Sequence, residues 1–328
     1  MVSANTWERF DALGQGTNRG DALAALPLPG AGTHYLAKGL TGEPILLLRV
    51  TKRRVPRIPL GLRHVQVEFD VECAIRDLDD EIEEKLVTAT FCRAICDPAA
   101  PGLHPLFAHA LAGAVEGLPA ELSPVEADRF FADAVELFRS FSAPPSTSIL
   151  GLWGELLIIA ISPCKDTLVT GWHVAADQTF DFAFPRACLE VKTTARHNRQ
   201  HDFSLAQLRG GHLPVVVASV VTEPSDAGES VLELATAVQD ELSPTNRVKL
   251  WRMVAESVGS DADDARDMRF LRVAAINSLR FYDAAALPVP EISTATAGCI
   301  SAVRFSLDFD RAPTVVALDP QEVWRILG

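Results

Sequence analysis

Pro214–Val221 reads Pro-Val-Val-Val-Ala-Ser-Val-Val, a nearly all-apolar run. A strand that is apolar on both faces needs cover on both faces, so it belongs at the buried centre of a sheet. The neighbouring sequence offers partners and cover. Ile149–Ile161, preceded by Ser148, reads as a very apolar helix. Thr167–Thr170 reads as a short strand, and Thr179–Phe184 and Cys188–Thr194 as further strands. Phe203–Leu208 reads as a short helix. The order is helix, two or three strands, helix, strand. A strand, helix and strand in succession imply a right-handed crossover between parallel strands.

The rest of the chain flanks this block. With 328 residues, 48% apolar and 22% charged, it has the composition of an ordinary soluble chain of about two domains. Six cysteines are too few for a disulfide scaffold. No apolar run approaches the roughly 18 residues that span a bilayer, and Met1–Phe10 has no signal-peptide pattern. The expectation is a cytoplasmic protein with no membrane association. Residues 45–96 read as β-rich: Ile45–Val50, then Val65, Val67, Phe69 and Val71 alternating with polar residues, then Leu86–Cys96 as a further strand or a short helix. Leu103–Leu118 and a segment opened by Ser123 and Glu126 as a capping box read as helices. Ala143-Pro144-Pro145-Ser146-Thr147-Ser148 is the best linker. The division expected is 1–142, 143–225 and 226–328. The last part holds helices at Val231–Leu242 and Asn246–Val258, strands near Arg269–Ala275 and Ala302–Phe309, and a helix after Pro320. The fold class is α+β, with a mixed sheet flanked by helices.

The middle block also carries the chemistry. Glu190 and Lys192 are two apart on a strand, so they project from one face. An antiparallel neighbour turning near Pro185-Arg186-Ala187 brings Asp181 beside Glu190. Glu155 is a lone acid within the apolar helix. Carboxylates held close repel unless a cation sits between them. Oxygen ligands suit a hard cation such as Mg²⁺, which polarises a phosphoryl oxygen and acidifies a water. A lysine beside such an ion can orient that water or offset charge on the phosphate. These are the groups phosphodiester hydrolysis needs.

Asp181 followed by Glu190-Val191-Lys192 resembles the motif of the PD-(D/E)XK nuclease superfamily, with Phe180 where the superfamily name has proline. The chain is similar in particular to a bacterial branch of PD-(D/E)XK motif proteins encoded beside restriction-modification genes. That likeness rests on Gly151-Leu152-Trp153-Gly154-Glu155-Leu156, Asp181-Phe182, Glu190-Val191-Lys192-Thr193-Thr194, and His201 followed by Gln207-Leu208. The resemblance implies a restriction-endonuclease-like core, αβββαβ, with a β-rich N-terminal part and a C-terminal extension. It implies a Mg²⁺-dependent DNA endonuclease of restriction or phage defence, with Mn²⁺ able to substitute. Asp181 and Glu190 would ligate the metal, Lys192 would serve the attacking water, Glu155 would add a ligand or orient water, and Gln207 would support the site or touch DNA.

The net charge of −13 does not mark a nucleic-acid binder, but the charge is unevenly spread. Arg49, Lys52, Arg53, Arg54, Arg57 and Arg63 fall in a stretch without acids, and eight acids follow between Asp70 and Glu84. Arg196, His197, Arg199 and His201 surround the motif. Arg53, Arg54 and these four are the candidate DNA contacts. The alternative is a catalytically silent or partner-dependent subunit, its acidic surface binding proteins of the same defence locus. A single site per chain and two cuts per duplex would suit a homodimer.

Overall fold

A computed structural model of the chain describes residues 6–13, 22–78, 85–174, 179–209, 212–293, 298–312 and 315–327. The acids from Asp79 to Glu84 lie outside the described residues. The architecture is α+β, with several sheets and helices among the described residues. The chain divides into two compact units: Met1–Ser146 with Trp251–Asp264, and Thr147–Leu250 with Ala265–Gly328. No described helix is long and apolar enough to cross a membrane.

The first unit opens with α1 (Thr6–Asp11) and strands β1 (Ala22–Pro27), β2 (Tyr35–Lys38), β3 (Pro44–Arg49), β4 (Leu60–Gly61), β5 (Val65–Asp77) and β6 (Lys85–Cys96). Their order is β1-β2-β3-β6-β5-β4, and β1 also pairs in parallel with β5. That extra pairing closes five strands into a ring and removes their free edges. Ala25, Tyr35, Ala37, Ile45, Leu47, Cys73, Ile75 and Phe91 form one core cluster, and Val71 packs against it.

Helices α2 (Leu103–Val115) and α3 (Pro124–Ser140) follow. The Ser123–Glu126 capping box is present in both its bonds. The alternation along β5 is broken by a bulge between Glu68 and Val71, where Asp70 has φ 55°. The extra residue moves later side chains to the other face. Phe69 therefore meets Phe131 of α3, while Val71 turns to the core cluster.

Arg53 sits at this bulge. Its guanidinium donates to Asp128 at 2.6 and 2.9 Å and to the Pro124 carbonyl at 3.2 Å. It lies 3.1 Å from Asp70 and over the Phe69 ring. Arg54 is exposed.

The second unit holds α4 (Ile149–Ile161), capped by Ser148, then α5 (Lys165–Gly171), β7 (Phe182–Ala183), β8 (Cys188–Thr194), β9 (Gln200–Ser204), α6 (Leu205–Arg209) and β10 (Val215–Val221). After these come β11 (Pro224–Ser230), α7 (Val231–Gln239), α8 (Pro244–Val258) and α9 (Ala262–Asp267), the last two each divided between the two units, then β12 (Arg269–Phe270), α10 (Arg272–Ser278), β13 (Arg280–Asp283), β14 (Arg304–Asp308) and a last helix, Pro320–Leu327. Its sheet runs β13-β10-β8-β7. β8 and β10 are parallel over their whole length, from Cys188↔Val215 to Thr194↔Val221. β7 is antiparallel to β8, with Phe182 opposite Leu189. The nearly all-apolar β10 is covered by α10, and α4 lies on β8 and against α7.

Three local expectations change. Thr167–Thr170 is part of a helix, because burial of Leu168 and Val169 and the Asp166 bonds to Ser243 and Asn246 override its β-branched character. Phe203 lies in a strand, β9, which is paired with β14 outside the central sheet, and the helix begins at Leu205. Arg269–Ala275 is a two-residue strand followed by a helix.

Arg53→Ala leaves Asp70, whose carboxylate oxygens are buried, without its cation, while Asp128 keeps Arg57. It is expected to lower unfolding stability by about 3 kcal/mol, against within about 0.5 kcal/mol for Arg54→Ala. Denaturant titration of both variants checks this; equal effects would remove the structural role given to Arg53.

Candidate active site

The site is built where α4 crosses β8. A Cβ at residue 154 would overlap the Thr193 side chain, so only glycine lets the helix come this close to the strand. Trp153 anchors the same turn, its indole N–H donating to the Glu229 carbonyl at 2.9 Å. Glu155, the next residue, is 3% exposed. Its Oε2 accepts from Trp172 Nε1 at 2.6 Å and lies 2.9 Å from His173 Nε2.

Asp181 immediately precedes β7. Its Oδ2 accepts the Val191 backbone N–H at 2.7 Å, so the hairpin with β8 also fixes the carboxylate. Glu190, in the middle of β8, is 1% exposed. Its Oε1 accepts from Lys192 Nζ at 2.8 Å and from the Gln207 amide. Glu190 Oε2 is buried with no hydrogen-bond partner. Lys192 is partly exposed and its ammonium lies over the Phe203 ring at 5.3 Å.

Gln207 does two jobs. Its Oε1 accepts the Ser204 N–H at 2.9 Å, while the Ser204 hydroxyl accepts the Gln207 N–H at 3.3 Å. That is a capping box at the start of α6, and it leaves the Gln207 amide nitrogen to donate to Glu190. The Ser-x-x-Gln spacing was a signal for this position independent of any motif.

The electrostatics follow from crowding. Burial pushes the Asp181 carboxyl well above the usual carboxylate range, and the charges of Glu155 and Glu190 push it further. Burial also raises Glu190; Lys192 opposes the shift and Glu155 adds to it. Burial works against an imidazolium at His173, but the hydrogen bond and charge of Glu155, with the charge of Glu190, outweigh it and raise the ring above its ordinary value.

Glu155, His173 and Asp181 each bring one ligand atom, and the three atoms lie within 4.8 Å of one another. Like charges held in a poorly solvated place, with a buried carboxylate oxygen left unpaired, are what a divalent cation relieves. The donor set therefore fits such an ion.

Glu155, Asp181, Glu190, Lys192 and Gln207 are thus linked in one unit by hydrogen bonds or by the action of their charges on one another. The basic residues divide. Arg196 and His197 are exposed. Arg199 donates to the Ser219 carbonyl and hydroxyl at 2.8 and 2.9 Å and to the Ser278 carbonyl at 2.5 Å. His201 is buried, 2.6 Å from the Ser219 hydroxyl, and burial pushes its pKa down to about 3. Arg53, Arg199 and His201 are engaged inside their own units, so of the six candidate contacts Arg54, Arg196 and His197 are the exposed ones. His173 was missed in the sequence. It stands 18 residues from Glu155, beyond a segment read there as strand, and no periodicity connects the two.

A family model described as "Putative PD-(D/E)XK family member (DUF4420)" matches residues 128–309, more than half of the chain. The chain belongs to this family. The matched region contains α4, the β7–β8 hairpin, α6 and every residue of the site described above. No curated protein and no solved structure matches the chain.

A DUF4420 protein with this carboxylate arrangement should show it in its metal-free stability. Because the native pKa of Asp181 is raised, the folded state binds more protons than the unfolded state. Stability therefore falls as pH rises from about 4 through the raised native value. In EDTA at pH 8, Asp181→Asn should unfold at a higher temperature than wild type, the gap closing toward pH 4. Mn²⁺ should raise the midpoint of wild type and leave the variant nearly unmoved. A variant less stable than wild type at pH 8 would count against carboxylate repulsion.

Proposed function

We propose that this protein is a divalent-metal-dependent nuclease that hydrolyses DNA phosphodiester bonds, built on a restriction-endonuclease-like core formed by α4, β7, β8, β9, α6 and β10. The observation that carries the reading is Glu190: a fully buried carboxylate with one oxygen held by Lys192 and Gln207 and the other without a partner. Asp181 and Glu155 act on it electrostatically. Family membership supports a nuclease-like fold.

Asp181, Glu190 and Glu155 would hold the ion, Mg²⁺ or Mn²⁺. When bound, such an ion polarises a phosphoryl oxygen and lowers the pKa of a water. The chain's own groups do the rest. The Val191 N–H fixes the Asp181 carboxylate, Trp172 fixes Glu155, and Gln207 fixes Glu190, so the acids are positioned before substrate arrives. Lys192 Nζ is the partly exposed member and donates from the solvent side of Glu190. In this reading it donates a hydrogen bond to an attacking water or to a phosphate oxygen. Arg54, Arg196 and His197 are exposed donors for the phosphate backbone. A role in bacterial restriction or phage defence rests on the sequence resemblance.

The test is cleavage of supercoiled, linear and single-stranded DNA with Mg²⁺ or Mn²⁺. Wild type should cut only with metal, and Asp181→Asn and Lys192→Ala should each lose about 100-fold or more while circular dichroism shows the fold kept. Cutting by both variants at the wild-type rate would contradict the proposal. A net charge of −13 favours a protein partner as a second reading. Cleavage that appears only when co-purified proteins are added back would support that reading.

A further inference from the structure

His173 lies outside the acid and lysine signature, yet the fold brings its ring to the centre of the site. It follows Trp172 at the end of α5, and its backbone has φ 39°, a left-handed conformation that side-chain-bearing residues rarely adopt. Its N–H donates to the Asp181 carbonyl at 2.9 Å, tying the residue to the start of the hairpin. Its Nε2 lies 2.9 Å from Glu155 Oε2. Two cis ligands on one ion, each bonded at about 2.1 Å, sit about 3 Å apart. The spacing of these two atoms is therefore that of neighbouring ligands.

We propose that His173 supplies a ring nitrogen to the divalent cation held by Glu155 and Asp181, and that the mixed nitrogen–oxygen shell favours Mn²⁺ or a later first-row ion over Mg²⁺. The inference rests on the metal-site reading above and changes its ligand chemistry. Ligand atoms of the three residues lie within 4.8 Å of one another. Glu190 Oε2 is not one of these three atoms; buried and without a hydrogen-bond partner, it is a second observation in favour of a cation. Trp172 donates to the same Glu155 oxygen at 2.6 Å, so Glu155 keeps a hydrogen bond when His173 turns its lone pair to a metal. Mg²⁺ prefers oxygen and binds in strict octahedra, whereas imidazole suits transition ions. A histidine that merely held Glu155 in place would produce no such preference.

Pulsed electron paramagnetic resonance of the full chain loaded with Mn²⁺ separates these roles. The expected spectrum shows nitrogen modulation from a directly bound imidazole. It should change when the histidines carry the heavier nitrogen isotope and vanish in His173→Gln with Mn²⁺ still bound. In competition titrations, the preference for Mn²⁺ over Mg²⁺ should fall by about tenfold or more in the variant. The wild-type spectrum decides the matter even if the variant does not fold. Bound Mn²⁺ without histidine modulation would overturn this inference and leave the metal site standing. No bound Mn²⁺ at all would overturn both.

Discussion

Glu155, Asp181 and Glu190 bring three carboxyl groups from a helix, a hairpin entry and a central strand into mutual electrostatic reach, in surroundings that raise the pKa of Asp181 and Glu190. Buried like charges oppose folding unless neutralised, so the surrounding structure has to hold them against their own repulsion. Lys192 offsets one charge, and donors from Val191, Trp172 and Gln207 each take one carboxylate oxygen. Glu190 Oε2 is left over. That unpaired oxygen is what favours the proposed cation over one more hydrogen bond.

The fold supplies this placement through a few close contacts. Gly154 allows α4 to lie against Thr193 of β8, which puts Glu155 beside the strand that carries Glu190 and Lys192. The parallel pairing of β8 with the nearly all-apolar β10 keeps that strand in the middle of the sheet. The Ser204–Gln207 capping box orients a short helix and the amide that holds Glu190 together. Stability and site geometry are therefore coupled at the same residues.

Much of this was legible in the sequence because it depends on short-range patterns. A period of two on Cys188–Thr194 put Glu190 and Lys192 on one face, and a tight turn at Pro185-Arg186-Ala187 brought Asp181 back to them. Ser148 and Ser123 marked helix starts that the structure keeps. What escaped depends on distant contacts. The β-branched run at Thr167–Thr170 looks like strand until Asp166 meets Ser243 and Asn246, and His173 cannot be placed until that segment is a helix. The pairing of β9 with β14 joins residues about a hundred positions apart. A bulge at Asp70 turned Arg53 from a plausible surface cation into an internal one.

The proposed site depends on these three acids converging on one divalent cation. Anomalous scattering from a crystal of the full chain soaked in Mn²⁺ should show a single strong peak bounded by Glu155, Asp181 and Glu190. A well-ordered site with no peak there, or with the ion bound elsewhere and Glu190 Oε2 turned to a protein donor, would contradict it.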